Sequence, residues 1–120
     1  TIWEAAMLAA SHKVNKLTAI IDYNKWQATG RSNKILSLEP LNQKWKSFGW
    51  EVMEIDGHDF NQMQKAFQSC RSCKDKPSII IAHTIKGKGV SFMEDNNNWH
   101  YRTPNEEELK LAIDELEEKL

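Results

Sequence analysis

The sequence predicts an α/β protein, a parallel sheet with flanking helices, and three observations carry that expectation. Helical and extended patterns alternate in the order helix, strand, helix, strand, helix, strand, loop, helix, the order that parallel strands joined by right-handed crossovers require. The run SIIIAHTI at residues 78–85 is apolar without alternation, as a strand covered on both faces must be. Two long irregular stretches each follow a strand, and open parallel sheets collect ligands at the carboxyl ends of their strands.

Residues 2–15 form an alanine-rich helix on which Trp3, Ala6, Met7, Ala10 and Val14 share a face. Leu17 to Tyr23 is a short strand centred on Ile20 and Ile21, and it ends abruptly in Asp22-Tyr23-Asn24. Residues 25–38 carry Gly, Ser, Asn and Thr with little periodicity, and a loop of that length in a compact domain is often functional. Pro40 fits the first turn of a helix running to about Phe48, and Gly49 suits its stop. WEVMEID, Trp50 to Asp56, is the second strand, broken by Gly57.

Asp59 and Gln62 have the spacing of a capping box and open a helix with the stripe Phe60, Met63, Phe67 and Cys70. The third strand, 78–85, is followed by KGKGV and an irregular stretch through Asn98, then Trp99-His100. Thr103-Pro104-Asn105-Glu106 starts the last helix with a hydroxyl cap, proline at the first helical position and a glutamate able to reach back. Leu109, Ala112, Ile113 and Leu116 face inward, and the many glutamates form a solvated face.

The 120 residues make one domain at most. A charged fraction of 28% and a hydrophobic fraction of 40% are those of an ordinary globular protein. Lys+Arg 16 against Asp+Glu 17 leaves no broad positive field for nucleic acid. No run approaches the length of a membrane span and no signal peptide is visible, so the expected location is the cytoplasm. Thr1 stands where a native chain has Met, and a helical pattern follows at once; a truncated or processed polypeptide is expected. Cys70 and Cys73 form a CxxC, but the first lies on the helical stripe and reads as a buried structural thiol.

The polar strand ends carry the chemistry. Asn24 offers a neutral amide oxygen and the loop after it exposes carbonyls, the ligand type that hard cations such as magnesium take together with water and phosphate oxygens. Asp and Asn also end strands simply by forming turns. Lys86-Gly87-Lys88-Gly89 combines charge for phosphate oxygens with glycines that permit close backbone approach, without the spacing of a P-loop. The alternative is a flexible basic turn. His100 beside Trp99 could bond to phosphate or move a proton near neutral pH, or serve structure alone, as His58 does at a strand-to-helix turn.

The segments WEAAMLAA, IIDYN, LEPLNQKWKSFGWEVMEIDGHD, KPSIIIAHTIKGKGVSFMED and WHYRTPNEEEL, in that order, resemble the thiamine-diphosphate-binding domain of transketolase, especially the N-terminal subunit of split transketolases. The resemblance covers nearly the whole chain, 1–120, as a partial diphosphate-side domain of the thiamine-diphosphate-binding fold, truncated at the N-terminus. It implies thiamine diphosphate held through Mg2+ or Ca2+. Asn24 matches the metal-binding asparagine and Trp26 the position whose backbone carbonyl also coordinates. Lys86 and His100 match positions near the diphosphate and substrate, with His100 the catalytic candidate. Asp22 takes an orienting role behind the ligands.

The family's Gly-Asp-Gly segment, with its aspartate ligand, is not among these residues, nor is the pyrimidine-binding domain whose glutamate activates the cofactor. The resemblance therefore implies a C-terminal pyrimidine-binding partner subunit, sugar-phosphate substrates and ketol transfer by the full assembly, with the isolated chain inactive. Exposed sheet edge and apolar helix faces imply a dimer or larger homo-oligomer. Two other readings remain at this point: another thiamine-diphosphate transferase, such as a deoxyxylulose-phosphate synthase relative, or a non-catalytic truncated interaction module.

Overall fold

The structure is a computed structural model and describes residues 1–118. Along the chain the elements are α1 (Ile2–Ser11), β1 (Thr18–Tyr23), β2 (Trp26–Gln27), β3 (Gly30–Arg31), α2 (Ser32–Ile35), α3 (Leu41–Ser47), β4 (Glu51–Asp56), α4 (Phe60–Ser72), β5 (Ser78–His83), a 3-10 turn (Asn97–His100) and α5 (Glu106–Glu117). They divide into two units: Thr1–Tyr23 with Ser37–His83, and Asn24–Leu36 with Thr84 onward. Among the described residues no helix is long and apolar enough to cross a membrane.

The first unit is the predicted parallel sheet with flanking helices, in the order β1-β5-β4. Thr18, Ser78 and Glu51 stand in one row, and Tyr23, His83 and Asp56 in another, so the carboxyl ends of the strands are level. Central β5 is buried along its length, with Ile79 at 0%, Ile80 at 2% and Ile81 at 1% exposure. Alternation sends Ile79 and Ile81 to one face, packed with Ala6, Tyr23, Leu41, Trp45 and Trp50, and Ile80 to the other, packed with Ala66 and Cys70. Each such isoleucine contributes about 1.5–3 kcal/mol of burial free energy, which explains the unbroken apolar run.

Aromatic rings close the first face. Trp45 meets Trp50 edge-on at 4.9 Å, Trp3 lies 5.3 Å from Trp45, and the Trp50 indole N–H donates to the Ala6 carbonyl at 2.9 Å. Gly49 takes φ +86 just after α3, as the predicted stop requires. Asp59 caps α4 by accepting from the Asn61 and Gln62 amides. Gln62 returns its own oxygen to the Asp56 N–H instead of the cap residue, so the box spans the turn from β4.

Several expectations need correction. The first helix stops at Ser11 rather than near residue 15: Lys13 adopts φ +50, Val14 N–H bonds to Ala9 O and Lys13 N–H to Ala10 O, the double bond pattern of a left-handed C-terminal turn. Val14 thereby leaves the helical face and is exposed, while Met7 falls at the rim of a stripe made by Trp3, Ala6, Ala9 and Ala10. On α4 the buried positions are Ala66 and Cys70, with Phe60 at 83% exposure and Phe67 also exposed. Their small side chains let the helix lie close to Met53, Ile55 and Ile80, and Phe67, one residue and about 100° onward from Ala66, faces away.

Pro40 is the N-cap of α3 rather than a residue of its first turn. The 25–38 loop contains the β2/β3 hairpin and α2. The last helix is capped by Asn105, not Thr103: Asn105 Oδ1 accepts the Glu108 N–H at 2.8 Å and Glu108 Oε2 accepts the Asn105 N–H at 2.9 Å. That reciprocal pair satisfies two otherwise orphaned donors. Of the four residues expected to face inward from α5, Ala112 is buried and Leu109, Ile113 and Leu116 are exposed. Both cysteines are free thiols, Cys70 buried with Sγ 3.9 Å from Met53 Sδ.

Candidate functional site

Asn24, Trp26, Lys86 and His100 all belong to the second unit, which is built from the stretches after β1 and β5. The first opens with a tight turn. Asn24 Oδ1 accepts the Trp26 N–H at 2.9 Å while Lys25 between them takes φ +69, so the side chain mimics a backbone turn. Trp26 then pairs with Arg31 and Gln27 with Gly30 across a short hairpin, and the Lys25 carbonyl accepts the Ser32 N–H at 2.9 Å.

The stretch after β5 folds on itself. Lys88 N–H bonds to Ile85 O, Val90 N–H to Gly87 O, and the Met93 and Glu94 amides both reach Val90 O, which brings the Asp95 N–H to Lys86 O at 2.9 Å. Gly87 has φ +72, and a Cβ there would lie 2.6 Å from the Met93 carbonyl oxygen. Gly89 donates its N–H to Glu94 Oε1 at 3.0 Å, and Lys88 pairs with Glu94 at 3.4 Å. Gly87 thus lets the loop approach its own Met93 backbone closely, and the Gly89 N–H ties the turn to Glu94. Lys86 is half-buried.

Two residues join the stretches. Asp95 Oδ1 accepts from the Trp26 indole at 2.7 Å and from Arg31 Nη1 at 2.6 Å, and its Oδ2 pairs with Arg31 Nη2. The Arg31 guanidinium also lies over the Trp26 ring at 3.8 Å. Asn97 Nδ2 donates to the Gln27 and Ala28 carbonyls at 3.2 and 3.0 Å. Sequence reading missed Asp95, Arg31 and Asn97: their partners lie 64 to 70 residues away, and no local spacing signals such a pairing.

His100 is exposed on the 3-10 turn that begins at Asn97, with its ring edge-on to Tyr101 at 4.5 Å. Its neighbour is the anchor: Trp99 donates its indole N–H to Phe92 O at 3.0 Å, packs on Phe92 and carries Arg102 over its ring. In the first unit, Asp22 is exposed at the end of β1 and Tyr23 donates its hydroxyl to Glu39 at 2.7 Å. Burial, and then the Glu39 carboxylate, push the Tyr23 hydroxyl up to about 12. His83 Nε2 meets Glu54 Oε1 at 2.6 Å beside it.

The hydrogen bond from Arg31, then that from Trp26, hold the Asp95 carboxyl below its ordinary value of 3.8, and Asp95 holds the Arg31 guanidinium up. A lowered folded value means that the carboxylate's contribution is present above the ordinary value and is lost as pH falls through the lowered one. The Trp26 indole resonance is therefore expected to stay constant between about pH 5 and 8 in an NMR titration and to move only in stronger acid. A midpoint near neutrality would contradict the ionised Asp95.

Among the described residues no three His, Cys, Asp or Glu side chains gather to hold a metal. The second unit instead offers neutral oxygens, the oriented Asn24 amide and the Trp26 carbonyl. That all-oxygen set fits a hard cation whose remaining positions are filled by phosphate oxygens and water, and it does not suit a thiolate- or imidazole-seeking metal.

The sequence matches the family described as transketolase, thiamine diphosphate binding domain, over residues 2–117. An apulose-4-phosphate transketolase subunit of Phocaeicola vulgatus is 38% identical over 120 residues, which is 100% of this chain and 43% of that protein. The 6-deoxy-6-sulfo-D-fructose transketolase subunit SqwG of a Clostridium species is 44% identical over 118 residues, 98% of this chain and 43% of that protein. The crystal structure of transketolase from Campylobacter jejuni superposes with a TM-score of 0.89 at 30% identity, covering 96% of this chain and 18% of that one. The chain thus spans less than half the length of the curated relatives it matches. Because the match spans the level sheet and both stretches that leave its strand ends, the chain belongs to the transketolase family of thiamine-diphosphate-binding domains.

Proposed function

We propose that this chain supplies the diphosphate side of a thiamine diphosphate site in a transketolase, whose complete assembly transfers two-carbon ketol units between sugar phosphates. The observation that carries the reading is the junction of the two stretches through Asp95 and Asn97, which sets Asn24, Trp26, Lys86 and His100 in one unit. Asn24 Oδ1 and the Trp26 carbonyl would hold Mg2+ or Ca2+, and the ion would neutralise the diphosphate. Lys86 supplies further positive charge for phosphate oxygens. His100, exposed on its 3-10 turn, binds substrate and moves a proton at its ring nitrogen. When bound, thiamine diphosphate supplies the thiazolium carbon needed to cleave the bond beside a ketose carbonyl.

The names of the two relatives concern sugars bearing a phosphate or a sulfonate, which supports an anionic sugar as substrate. Both relatives are named as subunits, which supports a separate pyrimidine-binding partner. Exposed Ile20 on β1, and Ile2 and Leu8 on α1, support self-association into a dimer.

The test is Asn24→Ala in the complete subunit with its partner, titrated calorimetrically with thiamine diphosphate and magnesium. Affinity is expected to fall at least about tenfold, since removing even the groups behind a ligand costs that much. An unchanged affinity would remove Asn24 from the ligand set.

A further inference from the structure

We infer that Asp95 is a positioning residue, which fixes the Asn24–Trp26 turn against the stretch bearing Lys86 and thereby sets the affinity for the metal and cofactor. The inference rests on the ligand assignment proposed above. Its starting point is the weakness of the element that carries the ligands. Strands β2 and β3 have two residues each, and an isolated two-stranded hairpin is marginal in water even at greater length. A cation site nevertheless needs its ligands held to within about 0.5 Å.

Asp95 addresses both sides of that requirement. Its backbone N–H bonds to the Lys86 carbonyl at 2.9 Å, so its own position is tied to the residue assigned to phosphate. Its carboxylate takes the indole of Trp26 and the guanidinium of Arg31, which are cross-strand partners in the hairpin. The Trp26 ring is therefore held at its edge by Asp95 and on its face by Arg31 at 3.8 Å, while its backbone N–H is held by Asn24 at 2.9 Å. Three separate contacts converge on the residue whose carbonyl is assigned to the ion.

Aspartate suits this place for two reasons. It tolerates the left-handed conformation found here, φ +53, better than most residues. Two equivalent oxygens also let it engage the flat guanidinium at two points, which fixes orientation as well as distance. Asparagine retains one acceptor for the indole but loses the charge and the second acceptor; glutamate keeps both and adds a methylene, displacing the hairpin.

An exposed ion pair that served stability alone would contribute little, so the two roles separate by experiment. In the complete subunit with its partner, Asp95→Asn is expected to weaken magnesium-dependent thiamine diphosphate binding by about tenfold, to leave the thermal midpoint nearly unchanged and to shift the Trp26 indole resonance. Asp95→Glu should recover part of the affinity. Combined with Asn24→Ala, the Asp95→Asn effect should shrink, because the turn that Asp95 holds has then lost both its Asn24 ligand and the Asn24 bond to the Trp26 N–H.

Wild-type protein that fails to bind the cofactor would overturn the functional reading and the inference with it. Normal wild-type binding and weak Asn24→Ala binding, with Asp95→Asn unchanged, would overturn the inference alone. A fully additive double variant would do the same.

Discussion

Trp50→Ala is expected to cost about 3–5 kcal/mol in chemical denaturation, the range for deleting a buried large aromatic side chain. Trp50 is 4% exposed, sits edge-on to Trp45 at 4.9 Å and donates to the Ala6 carbonyl at 2.9 Å. It therefore binds α1 to the residue just before β4, and truncation leaves a cavity between elements that come from distant parts of the sequence. A loss of that size is a large fraction of the about 5–15 kcal/mol that holds a typical domain together. Trp50→Phe retains most of the ring contact and removes the N–H donor, so it should cost less, with about 1 kcal/mol assigned to the hydrogen bond. Equal losses for both variants would show that packing contributes nothing at this position, contrary to its burial.

Gly87→Val is the second large effect, and it acts on function. A valine at φ +72 occupies a region that β-branched residues avoid, and its Cβ would fall 2.6 Å from the Met93 carbonyl oxygen and 2.8 Å from the Met93 carbonyl carbon. Backbone cannot be pushed aside as a flexible side chain can, so the turn between Lys86 and Asp95 must open. Strain of this kind costs about 1–3 kcal/mol, and the larger consequence is displacement of Asp95 from Trp26 and Arg31. Cofactor affinity should fall at least as far as in Asp95→Asn, with a comparable displacement of the Trp26 indole resonance. Gly30→Ala is the control: its added Cβ meets only Ile35 at 3.6 and 3.9 Å, so binding should be retained. A Gly87→Val protein with unaltered binding would separate the glycine from the site.

The three sheet strands were legible because a buried parallel strand must be apolar and must end where polar residues begin. Predicted limits at Leu17, Trp50 and Ile85 lie within two residues of the observed Thr18, Glu51 and His83. The errors lie where a small or polar residue did a job usually given to another. Lys13 closes α1 in a conformation that sequence reading reserves for glycine, Ala66 joins the expected Cys70 against the sheet where Phe60 and Phe67 promised more area, and Asn105 caps α5 two residues after a plausible threonine. In the candidate site, residues with recognisable chemistry could be named in advance. Those that hold them together could not: Asp95 lies in an irregular run, and the bonds from Trp26 and Arg31 exist only in the folded chain.

The two units alternate along the polypeptide, with Ser37–His83 of the first separating the two stretches of the second. A growing chain leaves the ribosome amino end first, so the turn at Asn24 emerges long before Lys86, Asp95 and Asn97 exist to receive it. By then all three strands of the sheet have been translated, and the part that is proposed to hold the coenzyme can be finished only afterwards. Nor could either unit be cut out as one continuous piece of gene.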